Sequence, residues 1–340
     1  MLLTRNREDI KTCQNKYGKT IIISLGGATY TQGGWASPAA AQTAAQLVFD
    51  MFGPVNTKAG VNRPFGSAVV DGFDFDFEAT TNNVATFATY LRDLITKSVA
   101  AGSKKLYMSA APQCVYPDAA NDAALKAAAF DFIMIQFYNN WCGTSNFRQG
   151  TTAQYAFNFD VWDQWARTVS KNPKVKLLLG IPASAGAGGG YTSGLQLDSA
   201  IQWSKRYPSF GGIMMWDVSQ LYANSGFHAE VSKILVAQFA DIGDCNGVNV
   251  SHDNINGRHV IVDGDSANDG SAHDGHNSDN YNGGIYAPNA GRGRSASMGA
   301  VRRHRLQRAY AVSGAIHLHL CWRLVVFLQV VGAFIGSSSS

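Results

Sequence analysis

The sequence has few charged residues, few cysteines and no long hydrophobic run. Only 15% of its 340 residues are charged, and the formal net charge of +4 is too small to indicate a nucleic-acid-binding protein. The apolar run at residues 324–335 is too short for a comfortable membrane span, so we expect no membrane contact. The first ten residues, MLLTRNREDI, lack the apolar segment of a signal peptide. The hydrophobic content of 46% suits a globular protein with a large core.

The amino-acid composition changes near residue 243. Residues 244–340 contain no Lys and no Glu, and residues 244–284 consist mostly of Gly, Asn, Asp, Ser and His, which is typical of disorder. The histidines of this region lack the compact spacing of metal ligands, and we expect no bound metal. The sequence therefore predicts a folded domain at residues 1–243 and a low-complexity, disordered tail at residues 244–340.

The most informative stretch is DGFDFDFE at residues 71–78. Successive side chains of a β-strand point to opposite faces, so Asp74, Asp76 and Glu78 share one face and three phenylalanines share the other. Three carboxyls on a buried face are costly to ionise together, and at least one should hold a proton near neutral pH. A protonated acid beside ionised carboxylates is what glycoside cleavage needs. The alternative is a solvated acidic edge strand with aromatic residues packed beneath it.

Strand-like and helix-like segments alternate along the chain up to residue 216. Strands are predicted at residues 20–25, 68–77, 105–109, 132–137, 175–181 and 212–216, and helices at residues 8–16, 39–52, 83–100, 122–129, 160–170 and 197–207. Near-continuously apolar strands that alternate with helices predict a parallel sheet in an α/β protein. Polar residues at the C-terminal ends of the strands favour a (β/α)8 TIM-type barrel, because that edge carries the active site of such barrels.

The predicted strands do not complete such a barrel. Eight strands are needed and six are predicted, so we expect the missing pair to precede residue 1 and the start of the chain to be truncated. A doubly wound open sheet is the alternative, although no Gly-rich phosphate-binding turn follows any predicted strand. The glycines at residues 186–190 lead into Tyr-Thr-Ser rather than into a helix, which indicates a flexible loop.

Two motifs resemble the signatures of the family-18 glycoside hydrolases. Residues 24–27, SLGG, are similar to the SxGG signature of that family, and residues 71–78 are similar to its DxxDxDxE signature. The later segments SAAPQC, QFYNN and MWDVS follow in the order found in single-domain class III chitinases of fungi and plants. The resemblance covers about residues 8–240. It implies a barrel enzyme that cleaves β-1,4 links within polymers of N-acetylglucosamine.

The resemblance also implies a retaining, substrate-assisted reaction, in which the N-acetyl oxygen of the sugar attacks the anomeric carbon. Glu78 would be the general acid and then the general base. Asp76 would accept a hydrogen bond from the acetamido N–H, and Asp74 would share a proton with Asp76. No cofactor is implied, because the substrate supplies its own nucleophile. Asp71 cannot point the same way as Asp74 in a regular strand, and we expect it to be a structural support.

The strand predicted at residues 132–137 repeats the alternation, so that Met134, Gln136 and Tyr138 share one face. The resemblance assigns Tyr138 to the acetamido oxygen and Gln136 to the same subsite, and we expect Met134 to line it as well. Trp216 matches the residue on which the sugar stacks at the cleavage subsite. The alternative is that these side chains only fill the interior of the barrel.

Further expectations concern the glycine motif, one aspartate and two cysteines. Ser24 and Gly26 are predicted to support the backbone, and Gly27 is predicted to lie at the substrate-binding edge, where a missing side chain permits close approach. Asp217 either bounds the cleft or caps a loop. Cys114 and Cys142 each follow a strand-like segment, which makes a disulfide between adjacent loops possible.

The motif is compatible with more than one function. A chitin-binding lectin or an enzyme inhibitor of the same family would usually lack the acid, and Glu78 is present with both aspartates, which favours the enzyme. The same residues would also be found in an inactive fragment, or in an endo-N-acetylglucosaminidase that acts on glycoproteins. We expect a monomer whose partner is chitin or its oligosaccharides. The resemblance implies an extracellular or cell-wall location.

Overall fold

The structure is a computed structural model, and it describes residues 2–55, 60–236 and 325–330. In these residues a parallel sheet alternates with α-helices. The strands are β1 Thr20–Gly27, β2 Gly72–Phe77, β3 Tyr107–Ala110, β4 Phe132–Gln136, β5 Lys176–Pro182, β6 Phe210–Trp216 and β7 Val325–Val330. The helices are α1 Leu2–Asn15, α2 Pro38–Phe52, α3 Val84–Ala100, α4 Asp122–Ala127, α5 Phe159–Thr168, α6 Gly194–Lys205, α7 Val218–Ala223 and α8 Phe227–Val236. A short 3-10 helix spans Thr144–Asn146.

The sheet has the strand order β6-β5-β4-β3-β2-β1-β7, and every strand pair in it is parallel. This confirms the predicted α/β architecture with six strands before residue 217. Among the strands the largest difference is in β2, which begins at Gly72 rather than at residue 68, and among the predicted helices it is in α1, which begins at Leu2 rather than at residue 8. Because all strands are parallel, their C-terminal ends meet at one edge of the sheet, where a barrel enzyme carries its active site.

The seventh strand corrects the prediction for the C-terminal segment. The composition of residues 244–340 predicts a disordered tail throughout, whereas Val325–Val330 pairs in parallel with β1 from Thr20 to Leu25. The edge of β1 would otherwise present unpaired backbone N–H and C=O groups, and a run such as VVFLQV has the β-branched and aromatic residues that favour strands. The rest of the predicted tail, including its histidines, lies outside the described residues.

The outer face of β2 carries its three phenylalanines into the layer between sheet and helices. Phe75 is fully buried, and its ring lies 5.5 Å from that of Phe87 on α3 and 5.4 Å from that of Phe130. Phe73 stacks on Phe49 of α2 at 6.2 Å. Such aromatic contacts add to the free energy gained from burial, so this face of β2 anchors the strand to the helices.

Asp71 holds the N-terminal end of β2 in place through hydrogen bonds and an ion pair. Its carboxylate accepts hydrogen bonds from Gln14 of α1 at 2.8 Å and from the backbone N–H of Ile21 at 2.7 Å. Lys104 forms an ion pair with it at 2.6 Å. Asp71 thus joins α1, β1 and the segment before β3, at the end of the strand opposite to Glu78.

Candidate active site

The inner face of β2 presents the carboxyl row, Asp74, Asp76 and Glu78. Asp74 and Asp76 are buried, with 1% and 7% of their surface exposed, and Glu78 follows the last strand residue and is half-buried. β2 lies between β1 and β3, so the row is inside the sheet and not at its edge. The interpretation as a solvated acidic edge strand is therefore wrong.

Asp74 is held by two hydroxyl groups from the neighbouring strands. Ser24 Oγ of β1 donates to Asp74 Oδ2 at 2.7 Å, and Ser109 Oγ of β3 donates to Asp74 Oδ1 at 2.8 Å. Burial raises the pKa of Asp74 to about 6, although these two hydrogen bonds act in the opposite direction. Asp74 can therefore hold or release a proton within the range in which an enzyme works.

Asp76 lies between two other acids. Its pKa is raised well above the ordinary value by burial first, and then by repulsion from Asp74 and Glu78. Three neighbouring acids that repel one another titrate as a coupled set. Asp76 therefore binds a proton more readily than an ordinary aspartate does.

Gln136 connects the row to β4. Its Nε2 donates to Asp76 Oδ1 at 3.2 Å, to Ala111 O at 2.9 Å and, more weakly, towards Glu78 Oε1 at 3.4 Å. Gln136 is buried, so its amide orients the acids without adding charge. It lies next to the acids, as the strand pattern predicts.

Glu78 has the environment of a general acid. Burial raises its pKa, the hydrogen bond from Gln136 lowers it, and the negative charge of Asp118 raises it again. A carboxyl group whose pKa approaches the working pH is suited to both donating and accepting a proton. Glu78 is also the outermost and the most exposed of the three carboxyls.

Tyr138 lies two residues after the end of β4. It is buried, and its pKa is raised well above the ordinary value by burial and by the negative charges of Asp76, Glu78 and Asp217. The phenol therefore remains protonated and can donate a hydrogen bond. Met134 packs beside it, in a small inner cluster with Ala111 and Met214.

Trp216 ends β6 with 39% of its surface exposed. The backbone N–H of Ala183 donates to the carbonyl of Trp216 at 2.7 Å, and the peptide bond to Asp217 is cis. Asp217 caps α7 by accepting from the backbone N–H of Gln220 at 3.1 Å and from the Ser219 hydroxyl. Of the two expectations for Asp217, the loop cap is observed, and its charge also acts on Tyr138.

The first motif forms the end of β1 beside the acids. Gly26 pairs with Asp76 and Gly27 with Phe77, and both glycines have positive φ, at 108° and 88°. A Cβ atom on Gly26 would lie 2.6 Å from the carbonyl oxygen of Asp76. Glycine is required at position 26 because no side chain fits between the two strands there.

Adjacent loops are joined by the disulfide between Cys114 and Cys142. The backbone N–H of Cys114 donates to the carbonyl of Gln136 at 3.2 Å, and its carbonyl accepts from Trp162 Nε1 at 2.9 Å. The disulfide thus restrains the loops that follow β3 and β4 next to the carboxyl row.

Two residues of the site, Asp118 and Asn121, were not predicted from the sequence. They lie between β3 and α4, both are buried, and Asn121 Nδ2 donates to the carbonyl of Phe77 at 2.9 Å. Their only signal in the sequence is that they follow the C-terminal end of a predicted strand.

Within the described part of the chain no group of three or more His, Cys, Asp or Glu side chains is arranged to hold a metal ion. None of the helices described there is long and apolar enough to span a membrane.

The buried carboxyl row at the C-terminal edge of a parallel α/β sheet defines a glycoside hydrolase of the barrel class. Residues 3–193 match the sequence profile of Glycosyl hydrolases family 18, and the chain belongs to this family. The resemblance inferred from the two motifs is thereby confirmed.

Two curated relatives are particularly similar. The chain is 59% identical over 227 residues to Endochitinase 33 of Trichoderma harzianum, covering 67% of this chain and 69% of the relative. It is 51% identical over 233 residues to a class III chitinase of Arthroderma benhamiae, covering 68% of this chain and 69% of the relative.

Solved structures show the same architecture. The ICChI chitinase from Ipomoea carnea is 26% identical with a TM-score of 0.54, and the alignment covers 68% of this chain and 79% of that one. The xylanase and alpha-amylase inhibitor protein XAIP-II from Scadoxus multiflorus is 28% identical with a TM-score of 0.55, covering 68% and 80%. This fold therefore occurs both in an enzyme and in an inhibitor of other enzymes.

Proposed function

We propose that this protein is an endo-acting chitinase that hydrolyses β-1,4 links between N-acetylglucosamine units. The observation that carries the proposal is Glu78, a half-buried acid with a raised pKa at the outer end of a buried carboxyl row. The two curated relatives are named as an endochitinase and a class III chitinase, which supports the same substrate.

In the first step Glu78 donates its proton to the glycosidic oxygen while the bond from that oxygen to the anomeric carbon breaks. The acetamido oxygen of the same sugar attacks the anomeric carbon and closes an oxazolinium ring. Asp76 accepts a hydrogen bond from the acetamido N–H and its charge balances the ring cation, because the shared proton moves to Asp74. Tyr138 donates its phenolic hydrogen to the acetamido oxygen and positions it for attack.

In the second step the Glu78 carboxylate removes a proton from water as that water attacks the anomeric carbon. The oxazolinium ring opens, the acetamido group is restored, and Glu78 is protonated again. The anomeric configuration is retained because two inversions occur. Trp216, exposed at the end of β6, offers its ring as the stacking surface for this sugar.

We infer an open groove and cleavage within the polymer chain. Between β5, which ends at Pro182, and β6, which begins at Phe210, the structure has one helix, Gly194–Lys205, and loops. No additional folded unit is present in this described segment to build a wall at that side of the site. An open groove accepts the middle of a polymer as readily as its end.

Glu78→Gln tests the proposal. The variant keeps the size and the hydrogen-bonding capacity of the side chain, so we expect it to bind a chitin tetramer with unchanged affinity. It cannot donate the proton, and we expect the rate of reducing-sugar release to fall ~10²–10⁴-fold. Asp122→Asn, at the start of α4, is the control for removal of an acid elsewhere. Hydrolysis by Glu78→Gln at close to the wild-type rate would refute the assignment of the acid.

A non-catalytic function is the second candidate, because one structural relative is named as an inhibitor of xylanase and alpha-amylase. The presence of Glu78, Asp76 and Tyr138 in one site favours catalysis. Release of reducing sugar from the tetramer by the wild-type chain separates the two, and inhibition of xylanase without such release would favour the inhibitor. A melting curve by circular dichroism on the same sample identifies an unfolded, inactive fragment.

We infer a monomer that acts in the extracellular space or the cell wall. The disulfide between Cys114 and Cys142 supports this location, because disulfides persist in oxidising compartments. Detection of the protein in the culture medium or the wall fraction, against detection in the cell lysate, tests the location. Gel filtration tests the monomer.

A further inference from the structure

Asp118 lies in the loop between β3 and α4, buried with 5% of its surface exposed. Its carboxylate accepts four hydrogen bonds: from the backbone N–H groups of Gln113 at 3.1 Å, Ala120 at 3.1 Å and Asn121 at 2.7 Å, and from Asn121 Nδ2 at 3.0 Å. Burial raises the pKa of Asp118 above the ordinary value, and the four N–H donors act in the opposite direction by stabilising the anion. No ion pair with a basic side chain is present for Asp118 among the described residues, so its charge is not neutralised by a cation.

The loop that holds Asp118 is connected directly to the strand that carries Glu78. Asn121 is fully buried, and its Nδ2 bonds both Asp118 Oδ1 at 3.0 Å and the carbonyl of Phe77 at 2.9 Å. Phe77 is the residue immediately before Glu78. The backbone at the base of Glu78 and the carboxylate of Asp118 are therefore held by one amide group.

Four groups from three elements interact with Glu78, Gln136 through a hydrogen bond and the other three through charge effects. Asp76 precedes it on β2, Asp118 lies in the loop after β3, and Gln136 and Tyr138 come from the end of β4. Gln136 is neutral, Tyr138 remains protonated, and the pKa of Asp76 is well above the ordinary value, which favours its protonated form. Of these four groups, Asp118 is the one whose negative charge is a cause of the raised pKa of Glu78.

We propose that Asp118 is a positioning residue of the hydrolytic site, whose buried negative charge keeps Glu78 in its acid form until substrate is bound. The proposal rests on the proposed function for the role of Glu78 as the proton donor. A simple loop cap would need only the hydrogen-bond acceptors, and an asparagine provides one of them. A loop cap therefore does not require a charged side chain at position 118. We attribute the presence of a charged residue there to its effect on the pKa of Glu78.

The pH dependence of kcat/KM tests this, because it reports the essential acid of the free enzyme. In Asp118→Asn we expect the alkaline limb of the kcat/KM profile to move to lower pH by roughly one unit. At pH values above the pKa of Glu78, kcat/KM of the variant should then be about tenfold lower than that of the wild type. In acid, where Asp118 of the wild type is itself protonated, the two profiles should converge. Asp118→Glu keeps the charge, and its alkaline limb should stay in place even where its melting temperature falls. Asp122→Asn removes a partly exposed acid of the same segment and should leave the limb unchanged.

A folded Asp118→Asn protein with the wild-type alkaline limb would overturn the proposal. If Asp118→Asn does not fold, Asp118→Ser serves as the uncharged variant in the same measurement. Failure of both uncharged variants to fold, with Asp118→Glu folded and active, would assign the charge to folding and also overturn the proposal.

A direct titration separates this proposal from the proposed function. Carboxyl carbon-13 signals of labelled glutamate, with the Glu78 signal identified by its loss in Glu78→Gln, give the pKa of Glu78 without any substrate. A lower pKa of Glu78 in Asp118→Asn supports the charge effect even where no chitin is hydrolysed. An unchanged pKa contradicts it even where the wild type is an active chitinase.

Discussion

The two faces of β2 are built on opposite principles. The outer face packs Phe73 against α2, Phe75 against α3 and Phe130, and Phe77 against Tyr30, at ring distances of about 5–6 Å, and each buried ring adds to the stability of the fold. The inner face buries Asp74 and Asp76 beside Glu78, and burial raises the pKa of all three. The strand therefore gains stability on one side and loses part of it on the other, where the reaction takes place.

The largest effect on stability is expected from the outer face. Phe75→Ala removes a fully buried ring that contacts Phe77, Phe87 and Phe130, and such a cavity costs about 3–5 kcal/mol. We expect that loss in the free energy of unfolding, measured by denaturant titration at pH 7. Phe75→Leu is the matched control and should cost less. A loss below about 1 kcal/mol for the alanine variant would contradict a close-packed outer face.

The alternation of β2 was predictable because strand geometry fixes which side chains share a face. The acids at positions 74, 76 and 78, the partner residues on β4 and the exposed Trp216 all lie at the edge that the strand pattern indicated. Asp118 and Asn121 were not predictable, because they lie in an irregular loop and reach the site through hydrogen bonds to Gln113 and Phe77. No periodic pattern encodes such contacts.

The seventh strand was missed for a different reason. Val325–Val330 follows a long segment of low complexity, and composition alone assigned the whole segment to a tail. A strand partner for β1 is a long-range choice that depends on which edge of the sheet is open. The local sequence shows strand propensity, but it does not show the register with Thr20–Leu25.

The second-largest effect on the free energy of unfolding is expected on the inner face of β2, where a substitution should raise stability at neutral pH instead of lowering it. The pKa of Asp74 is raised to about 6 from the ordinary 3.8, so the folded state binds its proton more tightly than the unfolded state does. The stability from this proton is fully present below pH 3.8 and is lost as the pH rises through 6, a loss of up to about 3 kcal/mol. Asp74→Asn removes this pH dependence, and above pH 7 we expect the variant to be more stable than the wild type by about 2 kcal/mol.

Urea unfolding at pH 4 and pH 8 measures this difference. Chitin hydrolysis by Asp74→Asn should fall, because Asp76 loses the partner with which it shares a proton. Asp131→Asn removes an acid that pairs with Arg92 at 2.7 Å, away from the carboxyl row, and it serves as the control. Equal slopes of stability against pH in wild type and Asp74→Asn would show that burial does not destabilise the ionised form of Asp74.

The smallest effect is expected from Ser109, a residue of β3 that contacts the inner face of β2 through one hydroxyl. Ser109 is fully buried and donates to Asp74 Oδ1 at 2.8 Å, and a hydrogen bond to a charged group contributes about 1.5–3 kcal/mol. Ser109→Ala should therefore cost about 1.5 kcal/mol above pH 7, where Asp74 is ionised, and less at pH 4, where it is protonated. Ser98→Ala, at a partly buried hydrogen bond to Ser103, controls for the loss of a hydroxyl. A cost that is the same at both pH values would mean that Ser109 supports the backbone rather than the charge of Asp74.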